Sequence, residues 1–413
     1  MNNSLLVITS YPPQGKVHGE KVVGIASYAK NTLLSMPKNL DIKVLAEKLA
    51  NETNHIEENI TVERVWKRKS FLLFPILLNY AIKNRDTKNV LIEFEHGMFG
   101  EMIHLIPFPL FILLLRLLGK NVTIALHQVF SDMKAISPHI NINANSKLNF
   151  FFNIFFKVFY KAVLIFSTKI IVFEEELKEK LSWHGNSKNI FVIPHGVEKF
   201  PKNAISKDEA KSELKLQKNT FIILCFGYLA WYKGTDWIVE KIKNQKSKIK
   251  NNNIKLIIAG GPNPNRINYK YYREYVKEIE QKCKENDILL TGFIPEDKIS
   301  KYFNAADLVV FPYRTFISAS GPLSIALSFN KPFIISEQLK EILETKDIKL
   351  LISKFQFQKS DLYFENENDF YKKINKIKND TIYRNKITAL SKELAEIRDW
   401  EKIGKQYYQT IFS

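Results

Sequence analysis

The chain has 413 residues, 45% of them hydrophobic, and 61 Lys+Arg against 43 Asp+Glu give a net charge of +18. That length exceeds what one hydrophobic core organises, so two domains are expected. Two cysteines, Cys225 and Cys283, lack the spacing of a zinc or redox motif, which excludes a disulfide scaffold and points to a reducing compartment.

The positive balance suits nucleic acid, anionic lipid or phosphorylated substrates. Compositional drift towards Lys reads equally well, so charge alone selects no partner. No nucleic-acid recognition module is visible, and nucleic-acid binding is not expected. The N-terminal "MNNSLLVITSYPP" has too short an apolar run and no basic leader for a signal peptide. The apolar stretch Met102 to Lys120 is interrupted by His104, Pro107, Pro109 and Arg116, so no transmembrane helix is expected. The histidines, His96, His127 and His195 among them, form no metal-ligand pattern, and no metal is expected.

Continuous apolar runs recur, each followed by a helical pattern. In the first half they are "LLVIT" (from Leu5), "IKVLA" (Ile42), "VLIEF" (Val90), "VTIAL" (Val122), "KIIVF" (Lys169) and "IFVIP" (Ile190). In the second they are "FIILCFG" (Phe221), "IKLIIAGG" (Ile254), "ILLTGF" (Ile288), "LVVFP" (Leu308), "PFIIS" (Pro332) and "IKLLIS" (Ile348). Strands apolar on both faces and alternating with helices predict α/β architecture, two Rossmann-like doubly wound parallel sheets facing across a cleft. The charged, strandless stretch from His195 to Asn219 marks the boundary. The domains are read as 1–198 and 199–395, with 396–413 a C-terminal helix returning to the first.

Ligands of such folds sit beyond the carboxyl ends of the strands. After the first strand, Gly15, Gly19 and Gly24 loosen the loop, and Gly24 opens a helix whose free N–H groups favour an anion. Glu95 and His96 follow "VLIEF", and His127 and Gln128 follow "VTIAL". A histidine there either bonds a substrate or is structural. In the second half Lys233-Gly234 precedes a helix and offers a compact charge to phosphate, or is an ordinary exposed lysine. "SASGPLSIALS" (Ser318 to Ser328) places small residues at a helix start, a seat for a phosphate.

In chain order, "YPPQGKVHGEKVVGIASYAKNTL", "EFEHGMFGE", "VTIALHQV", "VIPHGV", "FGYLAWYKGTD", "AGGPNPN", "FNAADLVVFPY" and "SASGPLSIALSFNKPFI" resemble the motifs of glycosyltransferase family 4, retaining nucleotide-sugar transferases of the GT-B fold. The resemblance implies that a hexose such as mannose or glucose moves from a nucleotide diphosphate sugar to a glycan or lipid-linked acceptor. It implies Lys233 with Ser320, Gly321, Pro322 and Leu323 on the diphosphate and Gly24 opposite. It further implies Gly292, Phe293, Ile294 and Ser324 on base and ribose, and His127 and Glu95 at the reacting centre. No cofactor is implied beyond the nucleotide sugar.

Ile317 and Ile325 stand where many members carry two glutamates, Tyr228 where a basic residue is usual, and Phe94 where a branch has His. A disaccharide synthase or phosphorylase, or a non-catalytic relative, remains an alternative. Lastly, "LNFFFNIFFKVFYKAVLIF" (Leu148 to Phe166) reads as a helix that either packs in the first domain or lies at a bilayer interface. With Phe108 to Lys120 it suggests a cytoplasmic protein peripheral on an anionic membrane leaflet, held by Phe155, Phe156, Lys157 and Lys161.

Overall fold

Strands made of Val, Ile and Leu without polar alternation must be covered on both sides, and the chain does this twice. The computed structural model describes residues 3–17, 23–130, 132, 146–198, 205–248, 253–264, 266–316 and 320–413, with only the backbone of 243–248. Gly19, Ile317, Ser318 and Ala319 lie outside the described residues.

The first half runs β1 (Ser4–Thr9), α1 (Gly24–Leu34), β2 (Asp41–Glu47), β3 (His55–Glu57), β4 (Ile60–Trp66), α2 (Leu73–Lys83) and β5 (Asn89–Phe94). It continues through α3 (Phe108–Leu117), β6 (Asn121–Leu126), α4 (Lys147–Phe166), β7 (Lys169–Val172), α5 (Glu175–Ser182) and β8 (Ile190–Val192). Its eight strands lie in the order β3-β4-β2-β1-β5-β6-β7-β8, parallel except for the β3–β4 hairpin. Every residue of β1 after Ser4 is buried.

The second half runs α6 (Lys207–Glu213), β9 (Phe221–Phe226), α7 (Thr235–Lys248), β10 (Ile254–Ala259), α8 (Lys270–Glu285), β11 (Leu289–Leu290), α9 (Glu296–Ala305) and β12 (Leu308–Phe311). Then come α10 (Gly321–Ser328), β13 (Phe333–Ser336), α11 (Lys346–Lys354), β14 (Tyr363–Phe364), α12 (Glu367–Asn379), α13 (Thr381–Ile397) and α14 (Trp400–Phe412). The six strands are ordered β11-β10-β9-β12-β13-β14, all pairs parallel.

Both sheets reverse winding direction at their first strands, between β1 and β5 and between β9 and β12. Connections there leave on opposite faces, which opens a crevice at the strand ends. Two short segments cross between the halves. Val197 N donates to Arg398 O at 2.7 Å, and Arg398 is pinned by Asp347 at 2.6 Å. Helix α14 then lies on α1, with the Tyr28 and Tyr407 hydroxyls 2.9 Å apart and Asn3 bonded to the Tyr408 hydroxyl.

Two readings need correction. "IKLLIS" is not a strand: Ile348 and Leu351 are buried while Leu350 is 66% exposed, so its apolar residues follow helical spacing in α11. The strand that completes the sheet, β14, is only two residues long and too short to show in the sequence. In the first domain, β4 alternates buried and half-buried positions, a period the search for continuous apolar runs passes over.

Candidate active site

A cavity of about 320 Å³ lies where the two crevices meet. From the first domain it is lined by Gly24, Ser27, Tyr28 and Asn31 of α1. His195, Gly196 and Glu198 of the crossing segment and Trp400 of α14 form its base. The second domain contributes Gly227, Tyr228 and Lys233 after β9, Gly260 and Gly261 after β10, Phe293 and Ile294 after β11, and Gly321, Pro322, Ser324 and Ile325 of α10.

Lys233 is the unusual group. It is 9% exposed, yet among the described residues its amine donates to no acceptor and has no carboxylate partner. Burial without a compensating anion pulls it down to about 8. The amine fills a gap between two backbone turns, since a Cβ at Gly227 would stand 2.7 Å from Lys233 Nζ and 3.2 Å from Pro322 Cγ. The turn that carries Lys233 ends on Gly234 at φ 67°, where a Cβ would lie 1.9 Å from Pro312 O. Only glycine brings this loop so close to the end of β12.

The start of α10 is narrower as an anion seat than the sequence suggests. Ser320 caps the helix, its hydroxyl accepting from Leu323 N at 3.3 Å, and Ser320 O accepts from Leu323 N and Ser324 N. Pro322 has no N–H, Leu323 is buried away from the cavity, and among the described residues the N–H of Gly321, which lines the cavity with Lys233, has no acceptor. A Cβ at Gly321 or at Gly24 meets nothing within 4 Å, so both open onto space. Ser324 reaches the cavity, but its hydroxyl donates to Gly196 O at 2.6 Å and ties α10 to the crossing segment. Phe293, 38% exposed, stacks on Tyr228 at 6.5 Å and 23°, while Ile294 is buried beneath. Gly292 holds that turn at φ 73°.

His127 lies deeper than the sequence suggests. The sequence places it in the cleft, whereas the ring is 9% exposed, lies behind Tyr28 at 4.8 Å, and packs on Phe173 at 4.6 Å. Its Nε2 meets Glu93 Oε2 at 2.8 Å, and Glu93 is fully buried inside β5. Burial lifts the Glu93 carboxyl well above its usual range and lowers His127 to about 4. Burial thus disfavours the charged form of both partners, and the short contact ties the two side chains together inside the domain. Glu95, half-buried at the end of β5, accepts from Gln128 Nε2 at 3.1 Å. Its charge adds to burial in raising the phenol of Tyr232 across the cleft.

Tyr28, His195 and Trp400 are among the cavity residues that the sequence did not single out. Tyr28 sits edge-on to both His195 and Trp400, at 4.9 and 5.1 Å. His195 donates Nδ1–H to Gly196 O at 2.7 Å, which leaves Nε2 as an acceptor, and burial lowers it to about 4. The motif "VIPHGV" was the available signal for His195. Trp400 arrives from the far end of the chain, which no local pattern reveals. Among the described residues no group of His, Cys, Asp and Glu gathers as metal ligands.

The helix read as a membrane contact is half-buried. Phe156 packs into the core on His96 and Tyr160 and is not available to lipid, while Phe155, stacked on Phe159, is half-buried. Phe150, Phe151, Ile154, Val158 and Ile165 are exposed instead, with Lys157 and Lys161 between them. Among the described residues α4 is the one helix long and apolar enough to cross a membrane, and a third of it is buried in the domain. Of Met102 to Lys120, only Phe108–Leu117 is α-helix.

Two facing α/β domains with a cavity at both winding reversals specify the architecture. The fold is GT-B. Residues 220–379 match the family of glycosyl transferases group 1. Over the whole chain the structure is similar to sucrose-phosphate synthase from Thermosynechococcus elongatus, at TM-score 0.71 and 16% identity, covering 98% of each chain. It is also similar to HepE from Anabaena in complex with UDP and glucose, at TM-score 0.64 and 16% identity, covering 99% of each. By sequence, 148 residues are 26% identical to the lipopolysaccharide 1,2-N-acetylglucosaminetransferase of Salmonella typhimurium, 35% of this chain and 37% of that protein. The chain thus aligns with little more than a third of that curated relative.

Proposed function

We propose that the protein is a retaining glycosyltransferase that moves a hexose from a nucleoside diphosphate sugar to a glycan or lipid-linked acceptor. The observation that carries this is Lys233, whose side chain is largely buried and whose amine has no protein acceptor among the described residues, in a cavity that Gly321 also lines and that both domains wall. A diphosphate supplies the missing acceptor and restores the amine's charge. The names of the similar proteins agree with a nucleotide-sugar donor, since one binds UDP and glucose and another transfers N-acetylglucosamine.

In this reading Lys233 and Gly321 hold the diphosphate, Gly24 lets it approach α1, and the exposed ring of Phe293 takes the base. Charge builds on the leaving diphosphate as the sugar–oxygen bond breaks, and fixed groups already aimed at it lower the barrier. The diphosphate takes the acceptor's proton, so transfer occurs on one face of the sugar with retention and needs no paired carboxylates. Lys233 and Gly321 do the neutralising, without a metal. Glu95 serves the acceptor side. His127, behind Tyr28, holds the cavity wall and does not touch the sugar.

The acceptor side also carries the exposed apolar face of α4, with Ile103, Ile106, Leu110 and Leu117 on and before α3, which packs against α4. We place this face on the cytoplasmic leaflet of an anionic membrane, with Lys157 and Lys161 toward headgroups. Each basic residue near such a surface contributes about 1 kcal/mol.

Ile325 in the cavity wall favours a second reading, a non-catalytic relative that binds nucleotide and transfers nothing. Hydrolysis of UDP-, GDP- and ADP-sugars, measured with calorimetric titration of the three nucleotides, separates the readings. Binding with slow sugar release supports the transferase. Binding with no release by any of them supports the second reading, and no binding rejects both.

A further inference from the structure

One buried polar chain in the first domain ends on Glu95, and its other members, Tyr160, His96 and Gln128, have no role above. Tyr160, on the inner side of α4, is completely buried, and its hydroxyl accepts from Phe130 N at 2.8 Å and meets His96 Nε2 at 3.0 Å. His96 Nδ1 meets Gln128 Oε1 at 3.3 Å. Gln128 Nε2 in turn donates to Glu95 Oε1 at 3.1 Å.

The directions of these bonds are forced. A carboxylate only accepts, so Gln128 presents its amide nitrogen to Glu95 and its oxygen to His96. That oxygen requires a proton on His96 Nδ1. Nε2 is then the acceptor, and Tyr160 must donate to it. His96 is accordingly a neutral ring in one tautomer, consistent with its burial among Phe94, Phe130 and Phe156, which lowers it to about 3. Each member has one assigned role, and Tyr160, with both bonds to its hydroxyl filled, cannot turn without breaking two of them.

We infer that Tyr160, His96 and Gln128 are positioning residues that hold the Glu95 carboxylate towards the acceptor hydroxyl. The inference rests on the transferase reading and deepens its acceptor side. Glu95 Oε1 is occupied by Gln128, and among the described residues no protein donor reaches Oε2. Glu95 follows β5 at the carboxyl end of the first domain's sheet, where the crevice opens, and Oε2 is left there for a substrate hydroxyl. The chain also fastens this carboxylate to α4, whose outer side carries Val158, Ile165, Lys157 and Lys161. A helix seated on a membrane and the group that orients a lipid-linked acceptor are then parts of one rigid unit.

The test uses the full chain and needs no identified acceptor, because water replaces the acceptor when UDP-glucose is hydrolysed. Tyr160→Phe keeps the ring and removes the donated bond. It is expected to lower the hydrolysis kcat roughly tenfold, with UDP affinity by calorimetry unchanged. Glu95→Gln lowers it at least as far, and the double variant falls no further than Glu95→Gln, since Tyr160 acts through Glu95. In ¹⁵N imidazole spectra, wild-type His96 shows the Nδ1–H tautomer between pH 5 and 8, and Tyr160→Phe shows both tautomers. An unchanged kcat in Tyr160→Phe, an additive double variant, or a His96 that titrates in this range overturns the inference. If the wild type binds nucleotide but releases sugar from none of the UDP-, GDP- and ADP-sugars while His96 keeps its tautomer, the transferase reading fails and the chain is purely structural.

Discussion

The two halves of the molecule use the same sheet but present different chemistry at its strand ends. In the second domain the loops come together backbone to backbone, and a Cβ at Gly260 would stand 2.0 Å from Gly227 O, as one at Gly234 would from Pro312 O at 1.9 Å. In the first domain the strand ends carry side chains: Ser10 after β1, Glu47 ending β2, Glu95 after β5 and His127 after β6. Ser10 bonds Glu47 at 3.0 Å, Glu95 bonds Gln128, and His127 bonds Glu93. Backbone walls suit a ligand of constant shape and charge, such as a diphosphate. Side-chain walls suit one recognised by its hydroxyls. The asymmetry fits the proposed placement of the donor on the second half and the acceptor on the first.

The largest effects should come from breaking the backbone wall. Gly260→Ala places a methyl group against the Gly227 carbonyl, where neither partner is a flexible side chain. We expect a loss of about 2 kcal/mol or more and a clear drop in Tm by calorimetry. Gly24→Ala, across the cavity, adds a methyl group into open space, and its Tm should hold. Next comes Lys233→Met, which should lower donor turnover by about 10²–10³, the effect of removing one charged or hydrogen-bonding stabiliser of a developing anion. The same variant should be no less stable than wild type, because a buried cation without a partner is lost.

On the side-chain wall, His127→Ala leaves the Glu93 carboxyl buried without its partner and a void beside Phe173. We expect about 2–4 kcal/mol of destabilisation in urea unfolding, with donor affinity retained in the folded fraction. A stable His127→Ala protein with lost turnover would instead put His127 at the reacting sugar. The smallest effect concerns α4. Lys157→Glu with Lys161→Glu should weaken flotation with anionic vesicles by at least about 2 kcal/mol at low salt and leave nucleotide affinity unchanged. No flotation of the wild type would make this face a contact of another kind.

Most of the fold could be read because a strand covered on both faces must be apolar throughout, and eleven of the runs named above became β1, β2 and β5 to β13. Where that condition fails, the reading fails. Half-covered β4 alternates, and the helix α11 imitates a strand through "IKLLIS". Part of the cavity wall was similarly legible, since Gly24, Lys233, Phe293, Ile294, Gly321, Pro322 and Ser324 all line it. Glycines and a lysine beside strand ends are local features. The direction a side chain takes is not local: His127 turns inward because Glu93, two strand positions before Glu95, is a carboxyl in an otherwise apolar strand. That glutamate within "VLIEF" was the warning, as a buried carboxyl demands a partner. Tyr28, His195 and Trp400 meet only through the return of α14, which depends on the tertiary path.

The central claim is that a diphosphate is the missing partner of Lys233. Its amine, lowered to about 8 by burial, must be charged to attract the anion, so proton loss above that pH weakens binding. The most direct measurement is UDP titration by calorimetry between pH 6.5 and 9.5, for wild type and Lys233→Met. The account predicts a wild-type affinity that is constant below about pH 7.5 and falls by up to tenfold per unit above pH 8, and a Lys233→Met affinity at least tenfold weaker with no such fall. Equal affinities for the two proteins across the range would contradict it.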